Sequence, residues 1–137
     1  MVSAMAASAL IVVVDQLTKR VMLRRGRPIP FKTPDPVPRG VITAQPGLIA
    51  LPARFAVPAW IATAAASIVI LAAIPQGGSP AIAVGIGLGI GAALSNLIDR
   101  LARGGVVDFI AIGRWPPFNL ADAGLVAGFG LVALGLL

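Results

Sequence analysis

All five acidic residues of this chain are aspartates, and it contains no glutamate, histidine, cysteine or tyrosine. That inventory removes most catalytic chemistries. A serine–histidine–aspartate triad, a cysteine nucleophile and a histidine-ligated zinc centre each lack a required side chain. Two arrangements remain for acid–base work, a carboxylate paired with a carboxylate or a serine activated by a lysine. Four aspartates, Asp15, Asp99, Asp108 and Asp122, stand at the edges of long apolar runs, whereas Asp35 stands in a proline-rich stretch where a solvated side chain is expected.

The neighbours of each aspartate divide them further. Asp15-Gln16-Leu17-Thr18-Lys19 sets an acid and a base one helical turn apart, a stabilising pair. The bland alternative is an interfacial pair with Lys19 snorkelling toward the headgroups. Asp99 adjoins Arg100 and precedes Arg103 by four residues, so a salt bridge that occupies it is expected. Asn96 lies one turn earlier inside an apolar run and requires a partner on another span. Asp108, in Val106-Val107-Asp108-Phe109-Ile110, and Asp122, in Phe118-Asn119-Leu120-Ala121-Asp122, have no adjacent basic residue. A carboxylate at membrane depth without a counter-charge marks a functional site by default. Two such groups together can share one proton, leaving one acid and one base. The structural alternative is that each caps a helix, although Asn119 is the better cap candidate for the last run. Ser95 and Lys19 could meet, but nothing around Ser95 marks it as a nucleophile.

The elements that must position these groups are membrane spans. Of 137 residues 58% are hydrophobic and only 12% charged, with a mean hydropathy of +0.95, which a soluble domain of this length would not show. Residues 1–23, 55–74, 80–98 and 118–137 each hold roughly the 20 apolar residues that a bilayer core requires. The first run has no Lys or Arg ahead of its apolar stretch, as a signal peptide would. The expected fold is an all-α membrane protein, a four-transmembrane-helix bundle forming one domain over residues 1–137. Its first loop, residues 24–54, holds seven prolines and is expected to be extended, with short strands around Val41-Ile42-Thr43 and Leu48-Ile49-Ala50-Leu51. A second extramembrane loop, the third connection in chain order, spans residues 99–117. Gly85, Gly87, Gly89 and Gly91 in the third span, and Gly124 and Gly128 in the fourth, form small-xxx-small pairs suited to close helix packing.

Four spans joined by three turns place the first and third loops on one side of the membrane. Asp15, Asp99, Asp108 and Asp122 therefore gather at one interface. The net charge of +6 sits on residues flanking the spans, which suits anionic lipid headgroups and not nucleic acid.

Four motifs in order resemble the lipoprotein signal peptidase family, signal peptidase II. They are Asp15-Gln16-Leu17-Thr18-Lys19, Gly91-Ala92-Ala93-Leu94-Ser95-Asn96-Leu97-Ile98-Asp99-Arg100, Gly105-Val106-Val107-Asp108-Phe109 and Phe118-Asn119-Leu120-Ala121-Asp122. The resemblance implies an intramembrane aspartic endopeptidase of the bacterial cell membrane, multi-pass, with its site at the extracytoplasmic interface. Its implied substrates are prolipoproteins whose cysteine carries diacylglycerol, cut just before that cysteine. Asp108 and Asp122 are then the catalytic dyad. Asp15, Lys19, Asn96, Asp99, Arg100 and Asn119 support the dyad and the substrate, and no metal or organic cofactor is implied.

Three departures accompany the resemblance. The Asn-Thr-Gly-Ala-Ala-Phe stretch usual before the second span is absent, the region reading Gln45-Pro46-Gly47-Leu48-Ile49-Ala50-Leu51-Pro52-Ala53-Arg54-Phe55. Ser95 replaces the glycine usual before the asparagine of the third span, and the Asp108–Asp122 connection is short and stiffened by Pro116-Pro117. All eleven Lys and Arg fall in or beside the first and third loops, which by charge alone would make those loops cytoplasmic, against the family topology. The ordered motifs are more specific than a charge count, so the family orientation is the expectation. The alternative function is a non-proteolytic or retargeted relative that binds a lipidated or helical membrane partner.

Overall fold

The computed structural model of the chain describes residues 1–25, 29–31, 42–43, 58, 61–62, 65, 79–103, 105–112 and 117–137. Among these residues three helices dominate, α1 (Val2–Arg25), α2 (Pro80–Arg103) and α3 (Leu120–Gly135). At 1.5 Å per residue, α1 and α2 are each ~36 Å long, enough to cross a hydrocarbon core of ~30 Å, and α3 is ~24 Å. By length and composition α1 and α2 qualify as membrane spans, and α3 is a shorter apolar helix. The expected second span, residues 55–74, lies outside the described residues except for Pro58, Ile61, Ala62 and Ala65, which are helical and exposed. The expected strand around residues 48–51 also lies outside them.

α1 and α2 outlast their apolar runs. α2 continues through Asp99 to Arg103, so the polar residues expected in a loop ride on its last turn. There Arg100 and Arg103 face the negative end of the helix dipole. The same holds for Arg24 and Arg25 at the end of α1.

Two seams hold the helices together. On α2, residues 87, 91, 95, 99 and 103 recur every four positions and form one stripe toward α1. At its upper end the stripe is glycine. A Cβ on Gly87 would collide with the Ala4 backbone, and one on Gly91 with the Ser8 backbone and Ile11. At its lower end the same stripe carries Ser95, Asp99 and Arg103. The opposite seam joins α2 to α3, where a Cβ on Gly85 would lie 2.6 Å from the Gly128 carbonyl and one on Gly128 would lie 2.6 Å from that of Gly85. The paired glycines of the third span thus serve two different neighbours.

Among the described residues, four short strands close the polar end. β1 (Ile29–Phe31) pairs in parallel with β4 (Ile110–Ile112), and β2 (Ile42–Thr43) pairs antiparallel with β3 (Val106–Val107). Thr43 and its neighbour are therefore in the strand expected around residues 41–43. The strands at 106–107 and 110–112 were not anticipated, and they bring the first loop against the segment that carries Asp108.

Burial is inverted relative to a soluble protein. Among the described residues, the largest fully buried side chains are Lys19, Asn119, Asp15, Asp99 and Ser95, whereas Leu10, Leu17, Val126 and Phe129 are exposed. Apolar residues outside and charges inside is the distribution expected when the surrounding solvent is lipid.

The glycine seams predict a sharp contrast between substitutions. Gly91→Val forces a branched side chain into the α1 backbone and should destabilise by on the order of 1–3 kcal/mol. Gly130→Ala, on the exposed face of α3 with no described atom within 4 Å of its Cβ position, should leave thermal stability in detergent at or above wild type.

Candidate active site

The polar end of the bundle is built around one ammonium group. Lys19 is 0% exposed. Its Nζ lies 2.5 Å from Asp15 Oδ2, 2.7 Å from Asp99 Oδ2 and 3.1 Å from Asn96 Oδ1. An ammonium has three hydrogens, and all three are directed at oxygen. The reading of Lys19 as a snorkelling side chain is therefore corrected. Snorkelling would strand two carboxylates in the interior, and their burial draws the ammonium inward instead. Lys19 is equally unavailable as a base for Ser95.

Asp99 and Asp15 are saturated by this arrangement. Asp99 Oδ2 accepts from Lys19 and, at 3.2 Å, from the Val107 amide, and its Oδ1 accepts from Gln16 Nε2 at 3.0 Å and from Arg103. Arg103 is the guanidinium that pairs with Asp99. Arg100, named as a supporting residue on its place in the motif, is half-buried and has no hydrogen-bond or ion-pair partner among the described residues. The four-residue spacing decides this, because residue 103 lies over 99 on the helix face and residue 100 does not. Asp15 Oδ2 accepts from Lys19 and from Ser95 Oγ at 2.7 Å, and its Oδ1 accepts from the Ala121 amide at 3.0 Å. That last bond satisfies one of the orphan amides in the first turn of α3 and puts a negative charge at its positive end.

The ammonium also orients the two asparagines. It can only donate, so Asn96 must turn its Oδ1 toward Lys19, and its Nδ2 then points the other way, 3.0 Å from Asp122 Oδ1. Asn119 is the N-cap of α3, its Oδ1 accepting from the Asp122 amide at 3.0 Å. Its Nδ2 is thereby directed to Asn96 Oδ1 at 3.2 Å and to Asp108 Oδ1 at 2.7 Å. Asp122 completes the capping box through Oδ2, which accepts from the Asn119 amide at 3.2 Å. The capping and functional readings of Asp122 are thus compatible, one carboxylate oxygen being used for each.

Asp108 is clamped through its neighbours. Val107 is tied to Asp99, and the Phe109 and Ile110 amides both donate to the Phe118 carbonyl, at 3.1 and 2.9 Å. Val107 and Phe109, each 3% exposed, anchor the segment in the core. Asp108 and Asp122 remain partly exposed, whereas Asp15 and Asp99 are fully enclosed. Among the described residues Asp122 has no ion-pair partner. The structure brings seven of the eight named site residues, Asp15, Lys19, Asn96, Asp99, Asp108, Asn119 and Asp122, into one hydrogen-bonded cluster. Sequence reasoning passed over Gln16 and the Ser95 hydroxyl as members. Gln16 Nε2 donates to Ser95 Oγ, Ser95 O and Asp99 Oδ1, and the recurrence of polar residues at 95, 99 and 103 was the available signal.

Lys19→Met would leave two buried carboxylates without their shared cation. The expected loss is about 3–5 kcal/mol in denaturant or thermal unfolding in detergent. Arg100→Gln should stay within about 0.5 kcal/mol of wild type in the same assay.

Comparison with known proteins identifies the family. Residues 7–137 match the family model described as signal peptidase (SPase) II. A lipoprotein signal peptidase of Rhodococcus jostii is 44% identical over a match covering 50% of this chain and 39% of that protein. One of Mycolicibacterium smegmatis is 44% identical, covering 56% of this chain and 37% of its own length. The matched part of the chain thus spans about two-fifths of the length of these curated relatives. A bacterial membrane enzyme solved by the in meso method at 2.3 Å resolution superposes with a TM-score of 0.78 at 25% identity, covering 99% of this chain and 88% of that one. A second, solved at 1.9 Å, gives 0.74 at 26% identity, covering all of this chain and 94% of the other. With a family model matching almost the whole sequence around the clustered aspartates, the chain belongs to the signal peptidase II family.

Proposed function

We propose that this protein is an intramembrane aspartic endopeptidase that removes signal peptides from diacylglyceryl-modified prolipoproteins, cutting before the lipidated cysteine. One observation carries the reading. Of the four clustered aspartates, the two that remain partly exposed, Asp108 and Asp122, are joined through a pair of asparagine amides whose NH2 groups face them. Asp15 and Asp99 are enclosed and occupied, so they act as framework.

In the proposed reaction one carboxylate of the pair takes a proton from water as its oxygen attacks the scissile carbonyl carbon. The other, carrying the shared proton, delivers it to the departing amine as the C–N bond breaks. Asn96 and Asn119 hold the two acids in register, and Asp15, Lys19 and Asp99 hold the asparagines. The full architecture proposed is a single domain of four membrane helices, the second over residues 55–74, with an extended proline-rich first loop, residues 24–54, at the membrane surface. The protein sits in the bacterial cell membrane among its lipids, with the dyad at the extracytoplasmic interface and no part in nucleic-acid binding.

Purified protein incubated with a lipidated precursor should release the signal peptide. Asp108→Asn and Asp122→Asn should each lower that rate by about 10²–10⁴-fold. Equal processing by wild type and both variants would remove the catalytic assignment, and no processing by any would favour a relative that binds its partner without cleaving it.

A further inference from the structure

Ser95 stands where the family resemblance leads one to expect glycine, and it is 0% exposed. A serine inside a helix commonly bonds back to the carbonyl one turn earlier. This one reaches across to α1. Gln16 Nε2, which can only donate, lies 2.9 Å from Ser95 Oγ, so the hydroxyl accepts there. Its single hydrogen is thereby directed to Asp15 Oδ2, 2.7 Å away. Asp15 then has two donors on Oδ2, from Lys19 and Ser95, which turn Oδ1 to the Ala121 amide at 3.0 Å. Ala121 immediately precedes Asp122, and the contact lies in the first turn of α3.

Ser95 also occupies the changeover in the α1–α2 seam. Gly87 and Gly91 bring the two backbones into contact above it, and Asp99 and Arg103 extend the stripe into ion pairs below it. A glycine at 95 would continue the close approach but supply no hydrogen to Asp15.

We infer that Ser95 is a positioning residue that acts through Asp15 to set the rotation and height of the first turn of α3, and with it the Asp122 carboxylate. The effect on catalysis rests on the proposed role of Asp122, whereas the effect on the α3 first turn does not. Two measurements separate them, amide hydrogen exchange of the detergent-solubilised full chain and steady-state kinetics on a lipidated precursor, each for wild type, Ser95→Ala and Ser95→Gly.

Both variants should speed exchange at Ala121 and Asp122 by about three- to ten-fold, the size of one hydrogen bond, and leave residues 128–132 unchanged. Both should lower kcat by a similar factor of about three to ten, with KM within about two-fold of wild type. Unchanged exchange at Ala121 and Asp122 in Ser95→Ala would overturn the inference. A loss confined to Ser95→Gly would also overturn it, because it would assign the effect to packing volume and not to the hydroxyl. If the wild type cleaves nothing, the peptidase reading fails while the exchange comparison still decides the role of Ser95.

Discussion

A lysine ammonium buried with no exposure at all is the constraint on which the polar end of this molecule depends. Lys19 is a pure donor with three hydrogens, and each is committed to an oxygen on another residue. Two of those oxygens belong to carboxylates that would otherwise be stranded in the interior, where an uncompensated charge is strongly destabilising. The third belongs to Asn96, and because the ammonium cannot accept, that contact fixes which way the amide faces. The orientation of Asn96 Nδ2 toward Asp122 is thus inherited from the charge on Lys19. A backbone amide does the same for Asn119, so two obligate donors set two side-chain amides, and these present their NH2 groups to Asp122 and Asp108.

The rest of the fold delivers the parts of this network to one place. The glycine seams let α1 and α3 approach α2 closely enough for side chains as short as serine and aspartate to bridge them. The strands at 106–107 and 110–112, held by the first-loop segments and by Phe118, fix the segment between them that carries Asp108. Separate elements therefore supply the two candidate acids, one on a helix first turn and one on a clamped strand connection. Their relative position is held by Asn119 and by buried side chains from α1 and α2.

Much of this was legible in the sequence. Long apolar runs marked the three described helices, and the four aspartates at the edges of those runs do gather at one end of the described bundle. Small residues at spacing four marked the seams, and basic neighbours marked Asp15 and Asp99, the two aspartates that the structure encloses with ion-pair partners. What was not legible depends on how one helix is rotated against another. Four-residue spacing says that Asp15 and Lys19 share a face, but only the position of α2 decides whether that face meets lipid or Asp99. The strands at 106–107 and 110–112 had no periodicity to read, since their pairing joins segments 63 to 81 positions apart in sequence. Ser95 was noticed as a departure from the family pattern, and its use became visible only when Asp15 was seen to lie within its reach.

The chain has no cysteine of its own, which allows a direct test of whether Asp108 and Asp122 face each other across one site. An Asp108→Cys, Asp122→Cys double variant can be treated in native membranes with a trivalent arsenical that captures two thiols only when they lie close together. The account predicts stoichiometric capture by the double variant and none by either single variant. Two cysteines that each react freely with maleimide yet never bind the arsenical together would contradict it.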